Sequence, residues 1–289
     1  MTQRIFLDRV KPLMPKMRAR RFSSRTEEQL NLLVSQTPIE RVLDDGGQLL
    51  EVGSGFGGTV FLLRSIGVKA YGIDPASRQN EVSAIICNLA EIPSPFSLSS
   101  GEKLPFADNQ FEIVCSFETL EHVQNPERVV AEMSRVTKIG GYILVSVPNY
   151  GSIIEGHFML PWFPYMPRRA ASLYVRLMSK FGLTNLHREF LDHLNFLTPR
   201  WLERIFNDHG LEILDWGIDL WESRLRSLQI PESASLRGGT FTRMLEMTIN
   251  IAERLGLMNL VIRLGGTWRM HYPIVLTACK KSHSVPSSD

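Results

Sequence analysis

Glu51, Gly53, Gly55 and Gly57 occupy alternate positions of the run Leu49-Leu50-Glu51-Val52-Gly53-Ser54-Gly55-Phe56-Gly57-Gly58. The apolar residues ahead of the glycines read as a short buried strand, and residues 59–66 can begin a helix. A strand, a tight glycine turn and a helix N-terminus let backbone lie against a nucleotide-like ligand, an approach that a Cβ would block. Gly53, Gly55 and Gly58 also satisfy G-x-G-x-x-G, the dinucleotide fingerprint, which alone is weak evidence. Glu51 adds information. An acid two places before the first glycine has no duty toward a pyrophosphate, yet it can accept hydrogen bonds from an ammonium, directly or through water. Asp74 lies 21 residues after Gly53, at the end of a second short strand over 69–73. A carboxylate there can accept both ribose hydroxyls, as the matching acid does in dinucleotide folds, while its plain role would be a turn cap before Pro75.

A ligand with an ammonium and a ribose but no phosphates points to S-adenosylmethionine. A nicotinamide cofactor is the rival under the fingerprint, and a glycine turn without any ligand is the third reading. The chain has 289 residues, 44% of them hydrophobic and 21% charged, which suits an enzyme with a sizeable core. Its net charge of +2 argues against wholesale nucleic-acid binding. No apolar run approaches the roughly 18 residues of a membrane span. Cys87, Cys115 and Cys279 have apolar surroundings and no metal-like spacing, which predicts reduced thiols, a cytoplasmic location and no metal site.

Strands must alternate with helices to position these groups. Residues 26–36 are helical in pattern, and Thr37-Pro38-Ile39-Glu40 reads as a capped helix start with Thr37 as the cap. After the strand at the glycine loop and the one over 69–73, residues 81–89 read as helix and 111–115 as strand. Asn125-Pro126 caps a helix over 127–138, which Gly140-Gly141 stops, and 141–147 is the next strand. This alternation predicts a parallel sheet with crossover connections. Beyond Tyr150 the rhythm breaks. Ala170, Leu173, Tyr174, Leu177 and Phe181 form the apolar stripe of an amphipathic helix ending at Gly182. A helix follows Thr198-Pro199, a strand covers 211–216, a second apolar helix lies around 244–255, and 271–280 closes as a strand.

From Leu49 to Asn149 the chain resembles the Rossmann-like S-adenosylmethionine-dependent methyltransferases, in particular the small-molecule branch related to ubiquinone-biosynthesis methyltransferases. The residues that carry this are the glycine loop, the stretch Glu102-Lys103-Leu104-Pro105-Phe106-Ala107-Asp108 running into Phe111-Glu112-Ile113-Val114, and Leu120-Glu121-His122-Val123. Pro126, Glu132, Arg135 to Gly141 and Val147-Pro148-Asn149 continue it, and 195–213 is similar to the family's downstream part. The resemblance implies an α/β fold: a doubly wound, mostly parallel seven-stranded sheet with an antiparallel last strand, plus helical lid insertions. The domains expected are a basic arm and helices (1–45), the S-adenosylmethionine-binding core (46–150), a lid insertion (151–197), a core helix and strand (198–217), a second helical insertion (218–268), the last core strand (269–281) and a tail (282–289). Where the family usually has Asp-Ala-Glu before its Leu-Pro-Phe, this chain has Ser100-Gly101-Glu102. An adenine-binding Asp is thereby replaced by Ser100, which leaves backbone near Gly101 and Glu102 to hold the base. Phe117, at the open carboxyl edge of the sheet, is a candidate to line the cofactor site or simply to pack.

Methyl transfer to a hydroxyl is helped by a general base, and His suits that role near neutrality. His122, at a position where the family commonly carries His, is one candidate. His157, in the loop after the fifth strand, is the other; each has a structural role as its alternative. His187 and His193 are weaker candidates. The expected activity is methyl transfer to a small-molecule acceptor, at an oxygen of an apolar or glycan-linked compound. The alternatives are an NAD(P)-dependent oxidoreductase and a non-catalytic protein that keeps the cofactor fold. Two segments suggest peripheral membrane contact. Residues 1–25 hold eight Lys or Arg and one acid, and 158–169 packs four aromatics, two Met, three Pro and two Arg into a candidate lid.

Overall fold

The computed structural model describes residues 20–89, 91–155, 160–182, 189–226, 254–267, 269 and 272–282. The chain divides into two compact units, one formed by Met1–Ser146, Arg204–Asp215 and Leu276–Asp289, the other by Val147–Glu203 and Trp216–Val275.

In the first unit, helices α1 (Arg20–Gln36) and α2 (Ile39–Asp44) lead into β1 (Gln48–Val52), α3 (Gly58–Ser65), β2 (Lys69–Asp74), α4 (Ser77–Leu89) and β3 (Phe96–Leu98). Then come β4 (Phe111–Phe117), α5 (Pro126–Val136) and β5 (Thr137–Val147). Two strands from the end of the chain, β8 (Leu211–Asp215) and β9 (Ile274–Lys280), complete a seven-stranded sheet. Its order is β3-β2-β1-β4-β5-β9-β8. The pairs β1/β2, β1/β4, β2/β3 and β4/β5 are parallel, and β8/β9 is antiparallel. Leu49, Leu50, Ile113 and Val114 are buried, as expected of central parallel strands covered on both faces. The chain reverses its direction of travel across the sheet at β1. The crevice beyond the carboxyl ends of β1 and β4 is therefore where such a sheet takes a ligand.

Two local expectations are corrected. Thr37 does not cap α2: its hydroxyl donates to the Leu33 carbonyl at 2.6 Å, closing the end of α1, and Pro38 takes the cap position without a side-chain bond. The helix expected over 127–138 ends at Val136, and β5 starts at Thr137 rather than Gly141. Thr137 pairs with Phe111 and Tyr142 with Ile113, so β5 carries extra residues in a bulge. A Cβ on Gly141 would lie 2.9 Å from the Glu112 carbonyl oxygen, which is why the strand can pass there only as glycine. The start of α5 is as expected, with Asn125 Oδ1 accepting the Arg128 N–H at 3.0 Å.

The second unit contains the hairpin β6 (Ile154–Glu155) and β7 (Leu160–Pro161), then α6 (Arg168–Lys180), α7 (Glu189–Asp192), the start of α8 (Pro199–Asp208), α9 (Ile218–Arg226) and α10 (Met258–Thr267). Its core holds Tyr150, Leu160, Trp162, Ala171, Val175, Leu191 and Leu194. Tyr150 stacks on Phe196 with centroids 4.3 Å apart, and Trp162 meets Tyr150 edge-on at 5.9 Å. The apolar stripe read for α6 is not the buried side. Ala171 and Val175 go into the core, while Leu173, Leu177 and Phe181 are exposed. The smaller side chains allow the helix to approach the packed aromatics closely, which leaves the larger ones outside. The helix expected around 244–255 lies mostly outside the described residues.

Candidate cofactor site

Glu51 sits on the central strand, opposite Gly72 of β2 and Cys115 of β4, and it is buried. Its Oε2 accepts no hydrogen bond among the described residues. Burial pushes the carboxyl up from its ordinary 4.5 to about 8, Arg25 pulls it back in part, and Asp74 adds to the rise. A buried acceptor without a donor is costly unless something supplies one. An ammonium would do so, and the site fits that demand.

The loop after β1 is held by backbone. Gly53 and Ser54 both donate to the Ile73 carbonyl at 2.9 Å, and Gly57 donates to that of Ser54 at 2.9 Å. Gly53 has φ +80°, and a Cβ on it would fall 2.2 Å from Thr119 Oγ1. At Gly55, with φ +54°, an added Cβ would meet nothing within 4 Å. One glycine is therefore needed to pack the loop against the chain; the other leaves the loop's tip open. The Gly55 N–H donates to Asp74 Oδ2 at 2.9 Å, and Asp74 Oδ1 accepts the Ala76 N–H at 2.9 Å. Each carboxylate oxygen keeps a second lone pair with which to receive a hydroxyl.

On the far side of β1, Gly101 is tightly packed: a Cβ would lie 3.1 Å from Val52 and 3.2 Å from Val129. Glu102 acts as a clamp. Its Oε1 accepts the N–H groups of Gln124 (3.0 Å) and Asn125 (3.2 Å), its Oε2 accepts the Ser100 hydroxyl, and its own N–H donates to Ser100 Oγ at 3.1 Å. Burial works against the charged form of Glu102, but these donors outweigh it and hold its pKa below the ordinary range. Phe117 is buried at the end of β4, two residues beyond the Cys115 that pairs with Glu51.

His122 follows a turn in which its N–H donates to the Thr119 carbonyl at 2.8 Å. Its half-exposed ring has Nε2 3.9 Å from Oε1 of the buried Glu121, ion-pair range but longer than a hydrogen bond. His157 and His187 lie outside the described residues, and His193 is exposed on the second unit. Arg25 and Glu118 were not foreseen as site residues. Arg25, on α1, pairs with Glu118 Oε2 at 3.0 Å just beyond β4, and Thr59 Oγ1 donates to Gln29 at 2.5 Å, fastening α1 to α3. In the sequence Arg25 is merely the last member of a basic run. Its contact is tertiary, so no local spacing announces it. Among the described residues no cluster of His, Cys, Asp or Glu could hold a metal ion, and no helix is long and apolar enough to cross a membrane.

Residues 50–145 match the Methyltransferase domain family. An uncharacterized methyltransferase of Mycolicibacterium vanbaalenii is 34% identical over 131 residues, 45% of this chain and 51% of that protein. One from Mycobacterium leprae is 37% identical over 154 residues, 53% of this chain and 54% of that protein. The chain thus spans about half the length of the curated relatives it matches. Among solved structures, the [4+2]-cyclase SpnF superposes with a TM-score of 0.52 at 20% identity, covering 90% of this chain and 81% of that one, which shows a shared fold. Fold, site and relatives together define residues 50–145 as a Rossmann-like methyltransferase domain. S-adenosylmethionine, the methyl donor of such a domain, fits the buried Glu51, whose Oε2 has no hydrogen-bond donor among the described residues.

Proposed function

We propose that the whole protein transfers a methyl group from S-adenosylmethionine to an oxygen of an apolar or glycan-linked small molecule in the cytoplasm. The observation that carries the cofactor half is the buried Glu51 Oε2, which lacks a donor among the described residues. In this reading Glu51 takes the methionyl ammonium, Asp74 takes the ribose hydroxyls, and the Gly53–Gly57 backbone lies against the nucleoside. The adenine falls to backbone at Gly101 and to Phe117, since the Glu102 N–H and carboxylate already serve Ser100 and the 124–125 turn. The bound cofactor supplies a sulfonium-activated methyl group, so the protein's task is alignment and exclusion of water.

His122 is the proposed base, with Glu121 beside it to balance the charge when the ring receives the acceptor's proton. His157 remains the second candidate. The 151–197 segment is proposed to select the acceptor, with the Tyr150, Trp162 and Phe196 cluster as its rigid support. Three free thiols are in keeping with a reducing compartment. The net charge of +2 favours a small acceptor over nucleic acid.

The test is mass spectrometry of a metabolite extract incubated with the protein and methyl-labelled S-adenosylmethionine. A labelled product ether or ester supports the reading. Failure to bind either S-adenosylmethionine or its demethylated product overturns it. With the acceptor in hand, His122→Ala should lower kcat by about 10²- to 10⁴-fold at unchanged cofactor affinity. Full turnover in that variant would pass the role to His157. A second reading is favoured by one neighbour: SpnF is named a cyclase, so this fold also carries other chemistry. Binding of S-adenosylmethionine without label transfer to any metabolite would favour it.

A further inference from the structure

The outer surface of α6 is apolar and exposed. Leu173, Leu177 and Phe181, at i, i+4 and i+8, are 58%, 43% and 70% exposed. They form one stripe, one helical face wide. Phe163, 68% exposed, extends it by meeting the Tyr174 ring edge-on at 6.3 Å, one turn from Leu177. Arg169, Arg176 and Lys180, at i, i+7 and i+11, are also exposed and run along the flank of that stripe. The helix contains no acid. Arg168 differs from the others. It donates inward to the Leu191 carbonyl at 2.7 Å and lies over the Phe196 ring at 4.8 Å, anchoring the helix to its own unit.

Here is a helix whose inner side packs Ala171 and Val175, with Tyr174 and Met178 beside them, against its own unit, and whose outer side combines large apolar groups with a row of cations. Such a face matches an interface with apolar material below and negative charge at its rim. We infer that α6 lays this face on the surface of a lipid bilayer with anionic headgroups, Leu177 and Phe181 entering the acyl boundary while Arg169, Arg176 and Lys180 meet the headgroups. A second copy of the chain fits less well. A stable dimer buries about 800 Å² on each partner, some 20–30 residues, and it would bring two identical cationic rows together. The inference does not depend on the proposed reaction. It places membrane contact on α6 and not on the basic arm.

The full chain should float with vesicles of phosphatidylglycerol and phosphatidylcholine, and at least about tenfold less with phosphatidylcholine alone or in high salt. Leu177→Glu/Phe181→Glu should remove binding to both vesicle types. Arg169→Gln/Arg176→Gln/Lys180→Gln should remove only the part that salt removes. Both variants should bind S-adenosylhomocysteine as the parent does, which shows that they fold; Leu89→Glu, an exposed leucine on the first unit, should float normally. Flotation that survives both α6 variants would assign the contact to another segment and overturn the inference. So would a protein that never floats, or a dimer that Leu177→Glu/Phe181→Glu converts to monomer with no vesicle binding in either form.

Discussion

Asp74 Oδ2 accepts the Gly55 N–H at 2.9 Å, so the carboxylate expected at the ribose also fixes the tip of the glycine loop. Its second oxygen is held by Ala76 at 2.9 Å. The acid is thus aimed by backbone before any ligand arrives, which reduces the ordering that binding requires.

Removing that carboxylate should affect affinity more than fold. Asp74→Ala is expected to weaken S-adenosylhomocysteine binding by about 10- to 100-fold, the worth of hydrogen bonds to a charged acceptor. Asp74→Asn keeps one acceptor oxygen and should fall between. Titration calorimetry, with thermal unfolding as the control, would measure this; equal affinities in all three proteins would remove Asp74 from the ribose.

The two glycines of the loop should fail in different ways. Gly53→Ala combines φ +80° with a Cβ 2.2 Å from Thr119 Oγ1, and it should unfold well below the parent temperature. Gly55→Ala has open space around its Cβ, and its backbone strain is about 1–2 kcal/mol. It should therefore keep most of the stability and lose cofactor affinity by obstructing the open tip. A Gly55→Ala protein that binds normally would show that no ligand approaches there.

Glu51 sets the pH dependence. Its folded pKa of about 8 lies above the ordinary 4.5, because of burial, with Arg25 opposing and Asp74 assisting. The cofactor-free folded chain therefore holds a proton that the unfolded chain has released, and its stability should fall as pH rises from about 4.5 to 8. An ammonium ligand needs the ionised form, so affinity should rise by up to about tenfold per pH unit on the acid side of 8. It should decline again where the ligand's amino group, with an ordinary pKa of about 8, loses its own proton. Calorimetry in buffers of different ionisation enthalpy should detect proton release near pH 7. Glu51→Gln should bind more weakly and without the acid limb; an unchanged limb would place the titration elsewhere.

Arg25 can be separated from stability. Its pair with Glu118 is 57% and 52% exposed on the two sides, so Arg25→Ala should cost at most about 1 kcal/mol. Loss of this cation should push Glu51 higher still and carry the acid limb of cofactor binding to higher pH. If the limb stays in place, the guanidinium does not influence the buried acid.

The central sheet was legible because its signals are local. Leu49-Leu50 and Ile113-Val114 are apolar runs beside glycine or an acidic turn, and Asn125-Pro126 caps its helix as read. Glu51 and Asp74 could be singled out because their spacing from the glycines follows from strand and turn geometry. The misreadings occurred where one residue had two possible partners. Thr37 could close one helix or open the next, and it closes the first. On α6 the periodicity identified a helix and its apolar stripe but could not say which side is buried, because Leu173, Leu177 and Phe181 outweigh Ala171 and Val175 in apolar area although the smaller pair permits closer packing. Arg25 was illegible for a third reason, its distance in sequence from Glu118 and Glu51.

The Glu102 clamp gives a different meaning to the serine that departs from the family's pattern. Ser100 donates its hydroxyl to one Glu102 oxygen and accepts the Glu102 N–H, so it steadies the carboxylate that holds the 124–125 turn. Ser100→Ala would therefore loosen that turn, because the carboxylate would lose a hydroxyl donor. Serine and glutamate brace each other, and a change at either is felt in the turn that the carboxylate secures.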